Sequence, residues 1–184
     1  MIESKQITDK ILCFEEPEAK ANIYYIDDNK KVQVDAGLVL DKPVDLLILT
    51  HCHFDHIAKA AEIKKKNPHC TIAASEEAAV HIKKMDSAVI QPVEPFRVDL
   101  ILQEGAQIYT GAYRFRVLKV PGHTSGCIAL YDAANQILFS GDCWFGGDSI
   151  GRFDLPTANK QDIFRSAKRL KDLKVKFLCS GHNY

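Results

Sequence analysis

Five histidines and two aspartates fall into four short motifs, and each motif follows a run of apolar residues. The motifs are His51-Cys52-His53-Phe54-Asp55-His56, Pro121-Gly122-His123, Ser140-Gly141-Asp142 and Ser180-Gly181-His182. A short apolar run is typical of a buried strand, so each motif is expected to emerge at a strand end. Imidazole and carboxylate groups in this mixture suit zinc, iron or manganese. Together the motifs can fill two adjacent metal sites.

The two remaining histidines do not belong to these motifs. His69 lies in a predicted loop and His81 in a predicted helix, where isolated histidines are ordinary surface or core residues. The chain has only seven histidines, and a purely structural role gives no reason for the order of the other five. We therefore expect two divalent metal ions as cofactors, zinc first, with iron or manganese as the other candidates.

Charge and length restrict the class of protein and its partners. The 184 residues predict a single domain over residues 1–184 with a sizeable core. Lys+Arg and Asp+Glu are both 24, so nothing indicates nucleic acid or an anionic membrane surface, and a small-molecule substrate is expected. The first residues do not resemble a secretion signal, and no apolar stretch is long enough to cross a bilayer. The expected location is cytoplasmic, and the oligomeric state is not indicated.

The six cysteines contain no Cys-x-x-Cys pair. Several of them lie inside apolar runs, which favours small buried thiols in a reducing compartment over disulfides or a zinc finger. Cys52 and Cys143 flank predicted ligands, so a redox-sensitive thiol is a second interpretation.

The hydrophobic pattern predicts two β-rich halves. In the first half, strands are predicted at 10–14, 21–27, 31–35, 45–49 and 70–74, and helices at 55–66 and from the Ser75 cap to about Met85. A loop over 86–97 leads to the second half, with strands at 100–102, 107–110, 113–120, 127–131, 136–140 and 176–179 and a helix at 159–173. The apolar run at 45–49 indicates a strand covered on both faces, which places His51 at its C-terminal end.

The motifs and their spacing resemble the metallo-β-lactamase superfamily, and the full set resembles its hydroxyacylglutathione hydrolase (glyoxalase II) branch. The resemblance covers nearly the whole chain, from the turn Val34-Asp35-Ala36-Gly37 to the last residues. It implies an α/β fold in four layers, an αββα sandwich.

The resemblance also assigns the metal ligands to two sites that share one carboxylate. The first metal takes His51, His53 and His123, the second takes Asp55, His56 and His182, and Asp142 bridges both. Two metals about 3.5–4 Å apart clamp a shared water, lower its pKa towards neutrality and polarise a substrate carbonyl.

Asp55 can in addition orient the resulting hydroxide, so it is the candidate catalytic residue and no serine or cysteine nucleophile is needed. Asp35 matches a family turn that supports the ligands through hydrogen bonds, and a simple turn residue is the alternative. The implied activity is the hydrolysis of thioesters.

The residues at single positions distinguish the branches of this superfamily. The secreted lactamases resemble this chain in His-x-His-x-Asp, but they usually carry Arg where His56 stands and Cys where Asp142 stands. Flavodiiron proteins place Glu at the His53 position. The segment 151–156, Gly-Arg-Phe-Asp-Leu-Pro, is similar to a stretch of short glyoxalase II-like proteins and is expected at the mouth of the site. Arg152 is there a candidate for binding a substrate carboxylate, and an ion pair with Asp154 is the alternative.

The chain departs from the glyoxalase II pattern at its end, where only two residues follow His182. Full glyoxalase II enzymes continue into a helical region that contacts glutathione. Three alternatives therefore stay open beside thioester hydrolysis. They are an iron dioxygenase resembling the persulfide dioxygenases, with one iron on His51, His123 and Asp142, a lactonase with the same ligands, and a non-catalytic metal-binding domain.

Overall fold

Two β-sheets face each other across a shared apolar core. The computed structural model describes residues 4–15 and 21–183, so residues 1–3, 16–20 and 184 of the predicted domain lie outside the description. The first sheet has seven strands, which lie side by side in chain order. They are β1 (Ser4–Thr8), β2 (Ile11–Glu15), β3 (Asn22–Asp27), β4 (Lys31–Val34), β5 (Leu46–Ile48), β6 (Thr71–Ala74) and β7 (Leu100–Ile101). Pairing is antiparallel from β1 to β4 and parallel from β4 to β7.

The second sheet is built from the second half of the chain. Its strands are β8 (Gln107–Tyr109), β9 (Arg114–Lys119), β10 (Ile128–Asp132), β11 (Ile137–Gly141) and β14 (Phe177–Ser180). A separate two-stranded hairpin, β12 (Trp144–Gly146) and β13 (Ser149–Ile150), lies between β11 and β14 in the chain. The five strands of the sheet lie in the order β14, β11, β10, β9, β8, and only the β11–β14 pair is parallel.

In the described part of the chain, four α-helices cover the outer faces of the two sheets. They are α1 (Phe54–Ile57), α2 (Ala60–Lys66), α3 (Glu76–Lys84) and α4 (Lys160–Lys171). Among the described residues, no helix is both long and apolar enough to cross a membrane.

Alternating side chains along each strand explain the layers, because successive residues of a strand point to opposite faces. Leu46 and Ile48 of β5 join Val117 and Phe139 of the second sheet in the central core. Leu47, between them, joins the core formed with the first three helices. A third core lies between the second sheet and α4. The order of layers is therefore helix, sheet, sheet, helix, which confirms the predicted αββα sandwich.

Several helix boundaries follow local signals in the sequence. The Ser75 side chain caps α3 by accepting a hydrogen bond from Ala78 N at 3.2 Å, as predicted. Asn159 caps α4 in the same way through Asp162 N. A short 3-10 turn, Ser87–Val89, lies inside the predicted loop 86–97.

The single helix predicted for residues 55–66 is wrong, because the structure divides it into α1 and α2. Two backbone hydrogen bonds to the turn after β4 divide it, Ala36 N to His56 O at 2.7 Å and Lys59 N to Ala36 O at 2.8 Å. These bonds lie outside the helical ladder, so an amphipathic pattern does not reveal them. The strands β1, β12 and β13 were not predicted either.

Candidate metal centre

The four motifs meet at one edge of the sandwich, as their positions at strand ends predict. His51, His53 and the α1 residues Asp55 and His56 follow β5 of the first sheet. The other three residues come from the second sheet, where His123 follows β9, Asp142 follows β11 and His182 follows β14.

Three overlapping groups of side chains place their ligand atoms within 4.8 Å of one another. The groups are His51, His53 and His123; His51, His56 and Asp142; and Asp55, His56 and His182. His69 is exposed on the loop before β6 and His81 lies in α3, and neither belongs to these groups.

Hydrogen bonds at Nδ1 turn several imidazoles so that Nε2 faces the cluster. His123 Nδ1 donates to Arg152 O at 2.8 Å. His56 Nδ1 lies 2.7 Å from Asp35 Oδ2. His51 Nδ1 lies 3.0 Å from Thr50 Oγ1. Such contacts fix the tautomer of a ligating histidine and leave the Nε2 lone pair for a metal.

Asp35 connects two of these contacts. Its Oδ2 accepts from the Thr50 hydroxyl at 2.9 Å as well as from His56, and its Oδ1 accepts from Thr50 N at 2.8 Å. The backbone of Asp35 has a φ of 64°, a conformation that Asp adopts more readily than most residues. The carboxylate is buried and lies beside the ligands.

The donor set fits a divalent cation. Among the described residues, four atoms at this edge are buried without a hydrogen-bond partner: His51 Nε2, His53 Nε2, His123 Nε2 and Asp142 Oδ1. A buried polar atom left in this state costs about 1–3 kcal/mol. Metal ions coordinated by these atoms would remove that cost, and three imidazoles with one carboxylate are a donor set that zinc, iron and manganese accept.

Burial also sets the protonation of the donors. It lowers the pKa of His51 well below its usual range, and it lowers that of His53 to about 3, with neighbouring imidazoles adding to both effects. Burial raises the pKa of Asp142, but His56 and His123 outweigh it, so the pKa of Asp142 lies well below its usual range. Neutral imidazole and ionised carboxylate are the forms that bind metals, so His51, His53 and Asp142 are in the ligating form. Burial lowers the pKa of His56, but Asp35 and Asp142 outweigh it and hold that pKa above its usual range, so a metal must displace a proton there.

The start of β3 holds the segment around His182. The sequence did not predict this contact. Asn22 N donates to Gly181 O at 2.7 Å, and Asn22 Nδ2 donates to Ser180 O at 3.1 Å and to Asn183 Oδ1 at 2.9 Å. The Tyr24 hydroxyl donates to Ser180 O at 2.8 Å. Asn22 and Tyr24 are 5% exposed. No sequence pattern links residues 22 and 181, so only the fold could reveal this contact.

Glycines let two segments approach Asp142. A Cβ on Gly181 would lie 2.0 Å from Asp142 Oδ1, and one on Gly151 would lie 1.9 Å from Asp142 O. The absence of a side chain at both positions therefore allows β14 and the loop after β13 to close on the cluster.

Arg152 lies in the loop that follows β13. Its Nε and Nη2 donate to the two carboxylate oxygens of Asp154 at 3.0 and 2.9 Å, and the Arg152 side chain is 64% exposed. This is the ion pair given above as the alternative to a substrate contact. The backbone carbonyl of Arg152, however, orients His123, so the loop contacts the cluster through its backbone.

All six cysteines are buried and none forms a disulfide. Burial raises the pKa of both Cys52 and Cys143 to about 12, so neither is a thiolate near neutral pH. Since the thiolate is the reactive form, these values disfavour the redox-sensitive thiol considered above.

Comparison with known proteins shows the family of the chain. The family model of the metallo-beta-lactamase superfamily matches residues 20–182, and the chain belongs to this superfamily. It is 30% identical over 197 residues to the acyl-coenzyme A thioesterase MBLAC2 of Gallus gallus, covering 87% of this chain and 70% of that protein. It is 33% identical over 145 residues to a hydroxyacylglutathione hydrolase of Bdellovibrio bacteriovorus, covering 76% of this chain and 51% of that protein.

Two solved structures share the fold. TTHA1623 in a di-iron-bound form superposes with a TM-score of 0.77 at 29% identity, covering 92% of this chain and 90% of that one. A metallo-beta-lactamase of Cronobacter sakazakii, in a mutant form, gives a TM-score of 0.80 at 19% identity, covering 99% and 81%. The second likeness concerns the fold alone.

Proposed function

We propose that the chain is a metal-dependent hydrolase of thioesters. The observation that carries the proposal is the set of three overlapping donor groups among the described residues, joined through His51 and His56 and including Asp142, in which three buried ring nitrogens have no hydrogen-bond partner. The similarity to an acyl-coenzyme A thioesterase and to a hydroxyacylglutathione hydrolase supports the thioester as the substrate class.

Seven side chains hold the metals in this proposal. His51, His53 and His123 form one site, Asp55, His56 and His182 form the other, and Asp142 contributes to both. Asp142 borders residues of both groups, because its Oδ1 lies 3.3 Å from His56 Nε2 and its Oδ2 lies 3.3 Å from His123 Nε2 and 3.2 Å from His182 Nε2, so its carboxylate would contribute to holding both metals. Bound divalent ions supply a water of lowered pKa and polarise a carbonyl.

Asp55 is the proposed catalytic carboxylate. Its Oδ2 lies 3.5 Å from His182 Nε2 and 3.9 Å from His56 Nε2, and its side chain is 16% exposed. The carboxylate therefore borders both the ligand cluster and the solvent. Asp55 can accept a hydrogen bond from the attacking water and hold it against the thioester carbonyl.

We propose two metal ions per chain, zinc first, with iron or manganese as the other candidates. Three imidazoles with carboxylates suit each of these ions, and TTHA1623 binds two irons. The substrate is a small molecule. We place the chain in the cytoplasm, because six thiols without a disulfide are typical of a reducing compartment.

Metal analysis of the purified protein, together with a panel of thioesters and lactones, tests the proposal. Two equivalents of metal and turnover of thioesters are expected. One iron with oxygen consumption on a persulfide would instead indicate a dioxygenase, and turnover of lactones alone a lactonase. Bound metal without turnover of any ester would indicate a non-catalytic metal-binding domain.

A further inference from the structure

Outside the metal centre, a serine, a histidine and an aspartate are joined in a chain of hydrogen bonds. His81 Nδ1 lies 2.9 Å from Asp86 Oδ2 and 3.1 Å from Oδ1. On the other side of the ring, His81 Nε2 lies 3.3 Å from Ser125 Oγ. Each ring nitrogen therefore has one partner, the carboxylate at Nδ1 and the hydroxyl at Nε2.

The fold builds this contact from two separate segments. Ser75, at the start of α3, donates its hydroxyl hydrogen bond to Gly126 O at 2.6 Å. A Cβ on Gly126 would lie 2.5 Å from Ala78 N, so only glycine lets the loop approach α3 this closely. The loop is thereby fixed against α3, which places Ser125 beside His81.

We propose that Ser125 is a second nucleophile of the protein, activated by His81 and Asp86, that accepts acyl or phosphonyl groups from activated esters. A nucleophile in contact with a base that a third group orients is the arrangement that activates serine. Such contacts are often looser in a protein without substrate, which accommodates 3.3 Å.

The chemistry balances within the three residues and the reagent. Ser125 Oγ forms a bond to the electrophilic carbon or phosphorus, and the bond from that atom to the leaving group breaks. The hydroxyl proton passes to His81 Nε2, which can return it to the leaving group. Asp86 keeps its negative charge and stabilises the imidazolium.

The surroundings of the three residues are compatible with this role. Ser125 is exposed and accessible to a reagent, while the side chains of His81 and Asp86 are 19% and 34% exposed. The hydrogen bond from His81 holds the pKa of Asp86 below its usual range. Asp86 Oδ1 also accepts from Ala88 N at 3.0 Å, which fixes the carboxylate.

A fluorophosphonate probe and intact-mass measurement test the proposal. The purified protein is expected to gain one phosphonyl group with loss of fluoride, and peptide mapping should place it on Ser125. Ser125→Ala should abolish the label. His81→Ala should slow labelling by about 100-fold or more, the usual contribution of a general base. Asp86→Asn keeps an oxygen that can accept from Ala88 N, and it should slow the labelling of Ser125 by about 10-fold.

Ser87→Ala is the matched control, because Ser87 is an exposed serine on the neighbouring 3-10 turn, and it should label like the wild type. Circular dichroism of each variant checks the fold. Absence of a label on Ser125, or a label whose rate is unchanged in His81→Ala, would overturn the proposal. The reaction requires no metal, so the test stays decisive even if the metal centre has another function.

Discussion

The Asp35 carboxylate orients two side chains of the cluster without belonging to the donor groups. It receives hydrogen bonds from Thr50 and His56, and Thr50 in turn contacts His51. The sequence could indicate Asp35 only through the resemblance of its turn, because neither its φ of 64° nor its partners follow from local pattern. The identities of the motif histidines and aspartates, by contrast, were visible in the sequence.

Asp35→Asn should weaken metal binding at the second site by about 10- to 100-fold, the usual effect of losing a partner of a ligating histidine. The amide nitrogen offers no acceptor, so either His56 or Thr50 loses its hydrogen bond. Competition with a chromophoric chelator measures the affinity. Asp27→Asn, on the exposed end of β3, is the control. Equal affinities in the two variants would contradict the role of Asp35.

Asn22→Ala should lower occupancy of the second metal while sparing the first. The substitution removes the side-chain hydrogen bonds to Ser180 and Asn183, on either side of His182. Tyr24→Phe removes one bond to the same segment and should have a smaller effect. Metal content after dialysis against a weak chelator measures both. Full retention of two metals in Asn22→Ala would show that this contact does not position His182.

Arg152→Ala should raise KM for anionic thioesters by about two- to fivefold and leave neutral thioesters unchanged. The factor is small because the guanidinium is exposed, and solvent screens the interactions of exposed charges. Asp154→Ala removes this ion pair and should lower KM for the same substrates. Equal losses on charged and neutral substrates would instead indicate that Arg152 acts only through its pairing with Asp154.

At the scale of elements, local pattern predicted what each segment buries but not where tertiary contacts interrupt it. The strand at residues 46–48 and the helix at 160–171 follow from apolar runs and periodicity. The break between α1 and α2 depends on bonds to Ala36. The short strands β12 and β13 have only three and two residues and are only partly buried, so they are too short for a periodic pattern to predict them.

Asp28 joins three elements through a buried carboxylate. It follows β3, its Oδ1 pairs with Lys10 Nζ at 2.7 Å, and its Oδ2 accepts from Thr110 Oγ1 at 2.9 Å and from Ala112 N at 2.5 Å. Burial raises the pKa of Asp28, but these hydrogen bonds outweigh it and hold the pKa below its usual range. The carboxylate thus links the first sheet to the β8–β9 turn of the second.

Asp28→Asn should lower the free energy of unfolding near pH 7 by about 1–3 kcal/mol, the range for hydrogen bonds to a charged group. Because the folded-state pKa is depressed, the stabilisation is complete above the unfolded pKa of about 4 and is lost as the pH falls towards the folded value. Urea unfolding from pH 7 to pH 2 should show the wild type converging on the variant below about pH 4. A constant difference across that range would contradict this account.

At the scale of the whole molecule, the candidate metal centre lies where the two sheets meet. The motif after β5 brings four of the proposed ligands from the first sheet, and the second sheet brings three. The sequence predicted this junction because the motifs terminate strands, and strand ends from facing sheets can share an edge. It could not predict the contacts that close the junction, such as Asn22 with Gly181, since these join residues distant in the chain.

Metal content of single ligand variants tests the central claim most directly. Wild type should hold two equivalents, His53→Ala and His182→Ala about one each, and Asp142→Ala less than one, because Asp142 contributes to both sites. His69→Ala, on an exposed loop, should match the wild type. Thioester turnover should fall with the metal content. Wild-type metal content in His53→Ala and Asp142→Ala would contradict the assignment of these residues and the shared two-metal centre.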